Sequence, residues 1–295
     1  MYKRNIFFSK SIILCSQDYG FVKRYNVKKQ KNSKIPMSFV ELWYRNVKKE
    51  FSQKRYGFIS DPYENTTRHE AYEILKLRNK LKQLVLSDDN IWKRELERDE
   101  IETPRLLKLI YYTICNFLDI IYKDKPIDRF WFLETVARMP YFSYVAVLHL
   151  YETLGWWDLG GELKKQHYDE EINETYHLRI MESLGGDQRW WNRFLARHGA
   201  IVYYVVLLIL FMISPRIAYL SSELLEMHAV DTYTEFCESN VELLKQLPVT
   251  NEAVIYCNYA QNMYDVFKKI GNDEYDHAKS MMLNKQMYES SKNDL

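Results

Sequence analysis

The chain has 295 residues, of which 47% are hydrophobic and 27% charged, with only 9 glycines and 7 prolines. This composition is ordinary for a folded protein of one large domain or two small ones, and the scarcity of helix breakers favours helices over sheets. The net charge is +1, and because no basic repeat or aromatic-flanked groove motif is present, we expect no nucleic-acid partner.

The beginning of the chain is basic, since residues 1–60 carry 14 Lys or Arg against 3 Asp or Glu. Residues 1–36 therefore predict a targeting peptide or a disordered basic arm. Residues 37–100 predict an N-terminal arm, extended apart from surface helices around the sequence EAYEILKLRNKLKQLVL. We expect the main helical domain at 101–288 and a frayed tail at 289–295.

Breakers and caps divide the main domain into helices. The first begins at Pro104, and the second runs from about residue 128 to 154 and stops at Gly155. The third is predicted over residues 163–184, because two glycines follow it.

The next helix contains Ile201–Ile213, a run of 13 apolar residues. A membrane-spanning helix needs about 20 residues, so we expect either a helix half-immersed in one leaflet or a buried core helix. Ser214-Pro215 then predicts a cap and the first turn of a helix that ends near Asn240. The last helix is predicted at about residues 262–287.

One motif occurs twice in these helices. Glu174-x-x-His177 recurs as Glu274-x-x-His277, and single glutamates, Glu134 and Glu226, precede each pair. The four glutamates are spaced by 40, 52 and 48 residues. This order is typical of a carboxylate-bridged di-iron site in a ferritin-like four-helix bundle.

The chemistry of this set suits two metal ions. Residues i and i+3 share a helix face, so each Glu-x-x-His pair directs a carboxylate and an imidazole to one point. Oxygen and nitrogen ligands without thiolate favour iron or manganese, and four carboxylates balance the charge of two ferrous ions. The alternative is an ordinary helical protein whose Glu and His side chains lie on solvated faces, which we favour for His69 and His167.

Tyr233 lies two helical turns after Glu226 on the same face. A tyrosine at this position could give an electron and a proton to an oxygen intermediate. The alternative is an ordinary packing residue.

The chain resembles the alternative oxidase family, and in particular its plastid terminal oxidase branch, over about residues 100–285. The resemblance is carried by the segments RFWFLETVARMPYF, NETYHL, MESLGGDQRWWNRFLARH, SPRIAYLSSELLEMHAVDTYTEF and NMYDVFKKIGNDEYDH. It implies a non-haem di-iron quinol oxidase that reduces O₂ to water without pumping protons. The implied iron ligands are Glu134, Glu174, His177, Glu226, Glu274 and His277.

The resemblance also implies further properties. Tyr233 matches the redox-active tyrosine of the family, while Arg129 and Thr232 match residues of its quinol pocket. The family fold implies a four-helix bundle with additional apolar helices that attach to one leaflet, usually as a homodimer. The plastid branch implies plastoquinol as the substrate and the thylakoid membrane as the location.

The chain departs from the plastid pattern in one respect, because the stretch between Leu247-Pro248 and the last ligand helix is short. The alternatives are a mitochondrial-type ubiquinol oxidase at the mitochondrial inner membrane and a soluble di-iron hydroxylase or ferroxidase. A metal-free membrane-surface protein with the same fold is a further alternative.

Overall fold

The structure of the protein is a computed structural model that describes residues 38–56, 79–157 and 161–293. The segment predicted at 1–36, most of the helix expected near residues 70–86, and His69 lie outside these residues. The chain divides into two compact units, residues 1–49 and 50–295. In the described part of the chain every regular element is a helix, which confirms the predicted all-α class.

Two helices before residue 100 lie where an extended arm was expected. Helix α1 spans Phe39–Tyr56, and its start is a capping box in which Ser38 and Glu41 each bond to the other's backbone N–H. Helix α2 spans Asp88–Glu97, and Ser87 caps it, since the Ser87 side chain accepts from the Asn90 N–H. The prediction was wrong here because these capping residues were overlooked among dense charge.

The described part of the main domain contains six long helices and two short ones. In chain order they are α3 (Arg105–Tyr122), α4 (Pro126–Thr153), α5 (Gly161–Ser183), α6 (Trp190–Ile213), α7 (Pro215–Ser239), α8 (Val241–Lys245), α9 (Asn251–Tyr256) and α10 (Met263–Asn293). The bounds of α3, α4, α5 and α7 agree with the predictions within two residues. Helix α10 continues six residues beyond its predicted end, into the segment expected to fray.

Local sequence signals account for several of these ends. The Ser214 side chain accepts from the Ile217 N–H, and Pro215 occupies the first helical position, as predicted. Gly185 follows α5 with φ +89°, which a residue with a side chain rarely adopts. A Cβ on Gly186 would lie 2.4 Å from Cβ of Trp131, so this glycine lets the loop after α5 approach α4 closely.

The long helices form two closely packed pairs. Helix α4 packs along α5, and α7 packs along α10, while α6 lies against α4 and connects α5 to α7. The prediction that the apolar helix is the long connection of a ferritin-like bundle is consistent with this arrangement.

Two apolar layers lie along the bundle. The Tyr233 layer includes Phe130, Ile180, Tyr233, Phe236 and Phe267. The Tyr219 layer includes Tyr141, Tyr144, Phe211, Tyr219 and Met281. Helices α4, α7 and α10 contribute to both layers, so the residues between these positions on each helix lie between the layers.

Helix α6 is longer than its apolar run suggested. It has 24 residues, or about 36 Å at 1.5 Å per residue, and a window of 18 of them has a mean hydropathy of 2.0. By length and composition it is long enough to cross a membrane, contrary to the expectation from the 13-residue apolar run. One face, with Ala196, Ala200, Leu207 and Phe211, is buried, whereas the opposite face is exposed.

Candidate metal centre

Six buried Glu and His side chains from four helices meet between the two apolar layers. They form two groups, and within each group one ligand atom per residue lies within 4.8 Å of the others. The groups are Glu134, Glu174, His177 and Glu274, and Glu174, Glu226, Glu274 and His277. Glu174 and Glu274 belong to both groups, so the arrangement could hold two adjacent ions with two shared carboxylates.

Many of the atoms that face this point make no well-directed hydrogen bond, although Nδ1 of His277 lies 2.7 Å from Oε1 of Glu174 and Nδ1 of His177 lies 3.2 Å from Oε1 of Glu274. They are Oε2 of Glu134, both carboxylate oxygens of Glu174, Oε1 of Glu274, and Nδ1 of His177 and His277. Buried polar atoms are normally hydrogen-bonded, and leaving one unpaired costs about 1–3 kcal/mol. Carboxylate and imidazole atoms that converge on one point without well-directed hydrogen bonds fit bound cations, which would satisfy all of them together.

The charges in the cluster lead to the same conclusion. Burial, followed by repulsion from Glu174, raises the pKa of Glu134 to about 7 and that of Glu274 to about 8. Burial and repulsion from Glu274 and Glu174 also raise the pKa of Glu226 well above its ordinary value. Burial alone would raise the pKa of Glu174, but interactions with His177 and His277 lower it. Four carboxylates at this distance therefore need positive charge between them.

His177 is oriented by two residues that the sequence analysis did not identify. Its Nε2 lies 3.1 Å from the Tyr256 hydroxyl and 3.4 Å from Oδ2 of Asp273, while its Nδ1 lies 3.2 Å from Oε1 of Glu274. The Tyr256 hydroxyl also donates to Asp273. A metal-ligating imidazole commonly donates its other N–H to a carboxylate. The signal for Asp273 was its position directly before Glu274.

Each of the two lone glutamates accepts a hydrogen bond from a buried tyrosine. Tyr233 donates to Oε1 of Glu134, and Tyr141 donates to Oε1 of Glu226 over 2.8 Å. Burial, then the charge of a nearby glutamate, raises the pKa of both phenols well above the ordinary value. Tyr233 was predicted from its spacing to Glu226, yet it contacts the other lone glutamate; Tyr141 was not predicted.

Arg129 and Thr232 both contact His228. The Arg129 guanidinium pairs with Asp88 at 2.7 Å and Asp119 at 2.8 Å, and its Nη2 lies 3.4 Å from Nε2 of His228. The Thr232 hydroxyl donates to the His228 carbonyl over 2.7 Å. Both residues are buried, so a quinol would have to displace neighbouring side chains to reach them.

His167 lies in the core, not on a solvated face as expected. Its side chain has no exposed surface and contacts Glu170 and Tyr219. The prediction failed because the partner Tyr219 is 52 residues away in the sequence and no local pattern reveals it.

Comparison with known proteins adds independent findings. A family model described as "Alternative oxidase" matches residues 101–285. The chain is 41% identical over 190 residues to "Ubiquinol oxidase 4, chloroplastic/chromoplastic" of Arabidopsis thaliana, covering 57% of this chain and 54% of that protein. It is 26% identical over 189 residues to "Ubiquinol oxidase 1, mitochondrial" of Nicotiana tabacum, covering 62% and 53%. With "Ubiquinol oxidase, mitochondrial" of Mangifera indica it shares 28% over 189 residues, covering 62% and 59%. The chain thus spans somewhat more than half the length of these curated relatives.

Proposed function

This chain belongs to the alternative oxidase family, whose model covers residues 101–285, and we propose that it is a non-haem di-iron quinol oxidase that reduces O₂ to water. The observation that carries this proposal is the buried cluster of Glu134, Glu174, His177, Glu226, Glu274 and His277, in which every residue except Glu226 has a ligand atom without a well-directed hydrogen bond. The names of the relatives support the quinol, because they are described as ubiquinol oxidases.

The two groups of ligands would hold one iron ion each, and Glu174 and Glu274 would serve both. Oxygen and nitrogen ligands without thiolate suit iron and leave positions for O₂. Bound iron would supply O₂ binding and electron storage, and two quinols would supply the four electrons that convert O₂ into two water molecules. Tyr256 and Asp273 would keep His177 oriented throughout this cycle.

Tyr233 would supply an electron during cleavage of the O–O bond. Its hydroxyl proton already has an acceptor, since it donates to Oε1 of Glu134. The surrounding rings of the Tyr233 layer exclude water, with Phe130 stacked at 4.3 Å between ring centroids. A dry site prevents side reactions of a reactive intermediate.

The quinol would bind on the side of the bundle where Arg129 and Thr232 meet His228. The ion pairs of Arg129 with Asp88 and Asp119 hold its guanidinium in place, so that its remaining N–H groups could orient a quinol oxygen. Plastoquinol is the proposed substrate, because the chain has 41% identity to a chloroplastic relative and 25–31% to mitochondrial ones. We also propose a plastid location, which the name of the chloroplastic relative supports, and the thylakoid membrane and a targeting role of segment 1–36 stay predictions.

Attachment to one leaflet of a membrane is supported by exposed apolar residues on α3 and α6. On α3 these are Leu106, Leu109, Ile110, Ile114, Phe117 and Ile120, and on α6 they are Phe194, Ile201, Val202, Val205, Val206, Ile209, Met212 and Ile213. The opposite face of α6 packs against α4, and a helix with one protein-facing and one apolar exposed face suits the membrane interface better than a span. This surface does not fit a soluble ferroxidase.

The homodimer implied by the family resemblance stays a prediction, which sedimentation of the detergent-solubilised protein would test.

The proposal is tested by oxygen uptake of the iron-loaded, detergent-solubilised chain after addition of a plastoquinol analogue in the presence of cyanide. We expect cyanide-resistant uptake that Glu274→Gln abolishes. Uptake without quinol dependence would favour a ferroxidase or hydroxylase, and no uptake by a folded, iron-replete sample would refute the quinol oxidase.

A further inference from the structure

Three side chains of the bundle form a hydrogen-bonded series that the proposed reaction does not use. The Tyr219 hydroxyl lies 3.0 Å from Nε2 of His167, and Nδ1 of His167 lies 2.9 Å from Oε2 of Glu170. Their exposed fractions are 2%, 0% and 8%. The series connects α7 with α5 and lies in and beside the Tyr219 layer.

The roles of donor and acceptor in this series follow from Glu170. Burial would raise the pKa of Glu170, but hydrogen bonds from His167 and Ser280 hold it below its usual range. An ionised carboxylate can only accept, so Nδ1 of His167 carries the hydrogen. In the neutral imidazole Nε2 is then left as an acceptor, and the Tyr219 hydroxyl donates to it. The phenol is thus paired with a base that a carboxylate orients.

Other buried tyrosines of the bundle have different acceptors. The hydroxyl of Tyr144, in the same layer, lies 2.9 Å from the Ala218 carbonyl and 2.7 Å from the Ser222 hydroxyl. That of Tyr122 donates to the Asn192 amide oxygen over 2.6 Å. A carbonyl, an amide or a serine hydroxyl satisfies a hydrogen bond but is too weak a base to take the phenolic proton. A phenol that loses an electron becomes a strong acid and must give its proton to a base. Tyr219 is therefore easier to oxidise than these neighbours, because its acceptor is the base His167.

Aromatic rings connect Tyr219 to the candidate metal centre. Tyr141 donates to Oε1 of Glu226, and its ring centroid lies 5.4 Å from that of His277 and 6.2 Å from that of His167. The rings of His167 and Tyr219 are stacked at 5.7 Å. An electron could therefore move from Tyr219 to the ligands of the centre through side chains that contact one another.

We propose that Tyr219 is a second electron donor to the centre, with His167 as the acceptor of its proton. The inference rests on the proposed function, because the oxidant is the iron centre after its reaction with O₂. In the step, the O–H bond of Tyr219 breaks, one electron passes through Tyr141 to the centre, and the proton moves to Nε2 of His167. The resulting imidazolium is ion-paired with Glu170, and Tyr219 is left as a neutral radical.

The cycle closes when quinol arrives. One electron from quinol, delivered through the centre, and the proton on His167 restore the Tyr219 hydroxyl. Tyr219 would thus remove one oxidising equivalent from the centre whenever O₂ reacts before quinol does. Its expected benefit is protection of the ligands against oxidation during idle turnover.

The experiment uses the full chain, loaded with ferrous iron, mixed with O₂ in the absence of quinol, and frozen for electron paramagnetic resonance. Tyr233→Phe is the starting variant, because it removes the other proposed donor. We expect a tyrosyl radical in this variant that decreases several-fold on adding Tyr219→Phe. Adding His167→Gln should lower it as well, since an amide can bond to Tyr219 but cannot take its proton.

The matched control is Tyr144→Phe, which removes a buried hydroxyl from the same layer and should leave the signal unchanged. A signal that survives Tyr219→Phe, or one that Tyr144→Phe lowers equally, would overturn the proposal.

A second measurement separates this inference from the proposed function. In the metal-free chain, flash oxidation by a ruthenium tris-bipyridine complex should form a tyrosyl radical with a deuterium isotope effect, and Tyr219→Phe should remove the isotope-sensitive fraction. This result needs neither iron nor quinol. If the radical depends on Tyr219 but the loaded protein shows no quinol-dependent oxygen uptake, only the quinol oxidase fails. If uptake is normal but neither radical responds to Tyr219→Phe, only the role of Tyr219 fails.

Discussion

The two tyrosines that bond to the lone glutamates have different surroundings. Tyr233 donates to Glu134 and is enclosed by the rings of its layer, with Phe130 at 4.3 Å and Phe267 at 6.3 Å between centroids. Tyr141 donates to Glu226, and the Tyr219–His167–Glu170 series lies behind it. Within the described residues, the hydroxyl of Tyr233 thus has one acceptor, Glu134, which is itself a candidate ligand. On the side of Tyr141, in contrast, the base His167 is separate from the ligands.

Under the two proposals made above, this difference gives the two electron donors, Tyr233 and Tyr219, different uses. A proton that goes to Glu134 stays in the ligand set, so oxidation of Tyr233 is coupled to the state of the centre. A proton that goes to His167 leaves the ligands unchanged, so Tyr219 can hold an oxidising equivalent apart from the reaction. We expect the rate of quinol turnover to depend on Tyr233, and the resistance of the ligands to oxidation to depend on Tyr219.

The largest effect is expected from loss of a ligand that the two ligand groups share. Glu174→Ala removes a carboxylate that belongs to both groups, so both ion positions lose a ligand. Iron affinity should fall by more than about 100-fold, the upper end of what loss of a supporting residue costs. Metal analysis and oxygen uptake check this, with the exposed Glu162→Ala on the same helix as the control. An iron-replete, active Glu174→Ala protein would contradict the shared role.

The second prediction compares the tyrosines directly. Tyr233→Phe should lower the quinol turnover number by on the order of 100-fold at unchanged iron content, the range for a positioned proton-transfer group. Tyr141→Phe should lower it much less, because Tyr141 is proposed only to transmit electrons to and from Tyr219. Steady-state kinetics on both variants, with iron measured in each, decides the matter. Equal losses of turnover in the two variants would mean that Tyr233 and Tyr141 do not differ in function.

The third prediction concerns the support of His177. Asp273→Asn weakens the partner of Nε2 and should lower iron affinity by about 10–100-fold, mainly at the position that His177 serves. Titration with ferrous iron should then show one weakened site and one near-normal site. The control is Asp276→Asn, an exposed residue on the same helix. Two sites weakened equally would argue against the assignment of His177 to one position.

The smallest effect concerns the stability of the metal-free protein. In the folded chain the pKa of Glu134 is raised to about 7, that of Glu274 to about 8 and that of His277 to about 9. Groups with raised pKa bind more protons in the folded state, so they stabilise it at low pH, and this contribution is lost as pH rises through the raised values. The lowered pKa of Glu174 acts in the opposite sense, but only in the more acidic range.

Thermal unfolding should therefore show that Tm of the metal-free chain falls between about pH 6 and 9, by about 2–4 °C per kcal/mol lost. The iron-loaded chain should change less, because bound cations replace the protons. A metal-free chain whose Tm is constant or rises over this interval would contradict the charge balance described for the cluster.

The sequence predicted the parts of the site that follow from local spacing. A ligand pair at i and i+3 must share a helix face, and caps such as Ser214 and glycines such as Gly185 limited the helices that carry these pairs. Hence all six proposed ligands and most of the helix bounds could be named before the structure.

The parts that were missed depend on contacts between distant segments. His167 was expected on a solvated face, but its ring is covered by Tyr141 and Tyr144 from α4 and by Tyr219 from α7. Tyr256 reaches His177 from the short helix α9, 79 residues away. No periodicity in a single helix reports such partners, so the residues that tune the site were harder to predict than those that form it.

The most direct test of the two-ion centre is the iron content of the purified full chain together with its Mössbauer spectrum. Two iron ions per chain that are magnetically coupled are expected, because Glu174 and Glu274 belong to both ligand groups. A folded chain that binds no iron, or that binds ions without magnetic coupling, would contradict the shared-ligand centre on which the proposed oxidase depends.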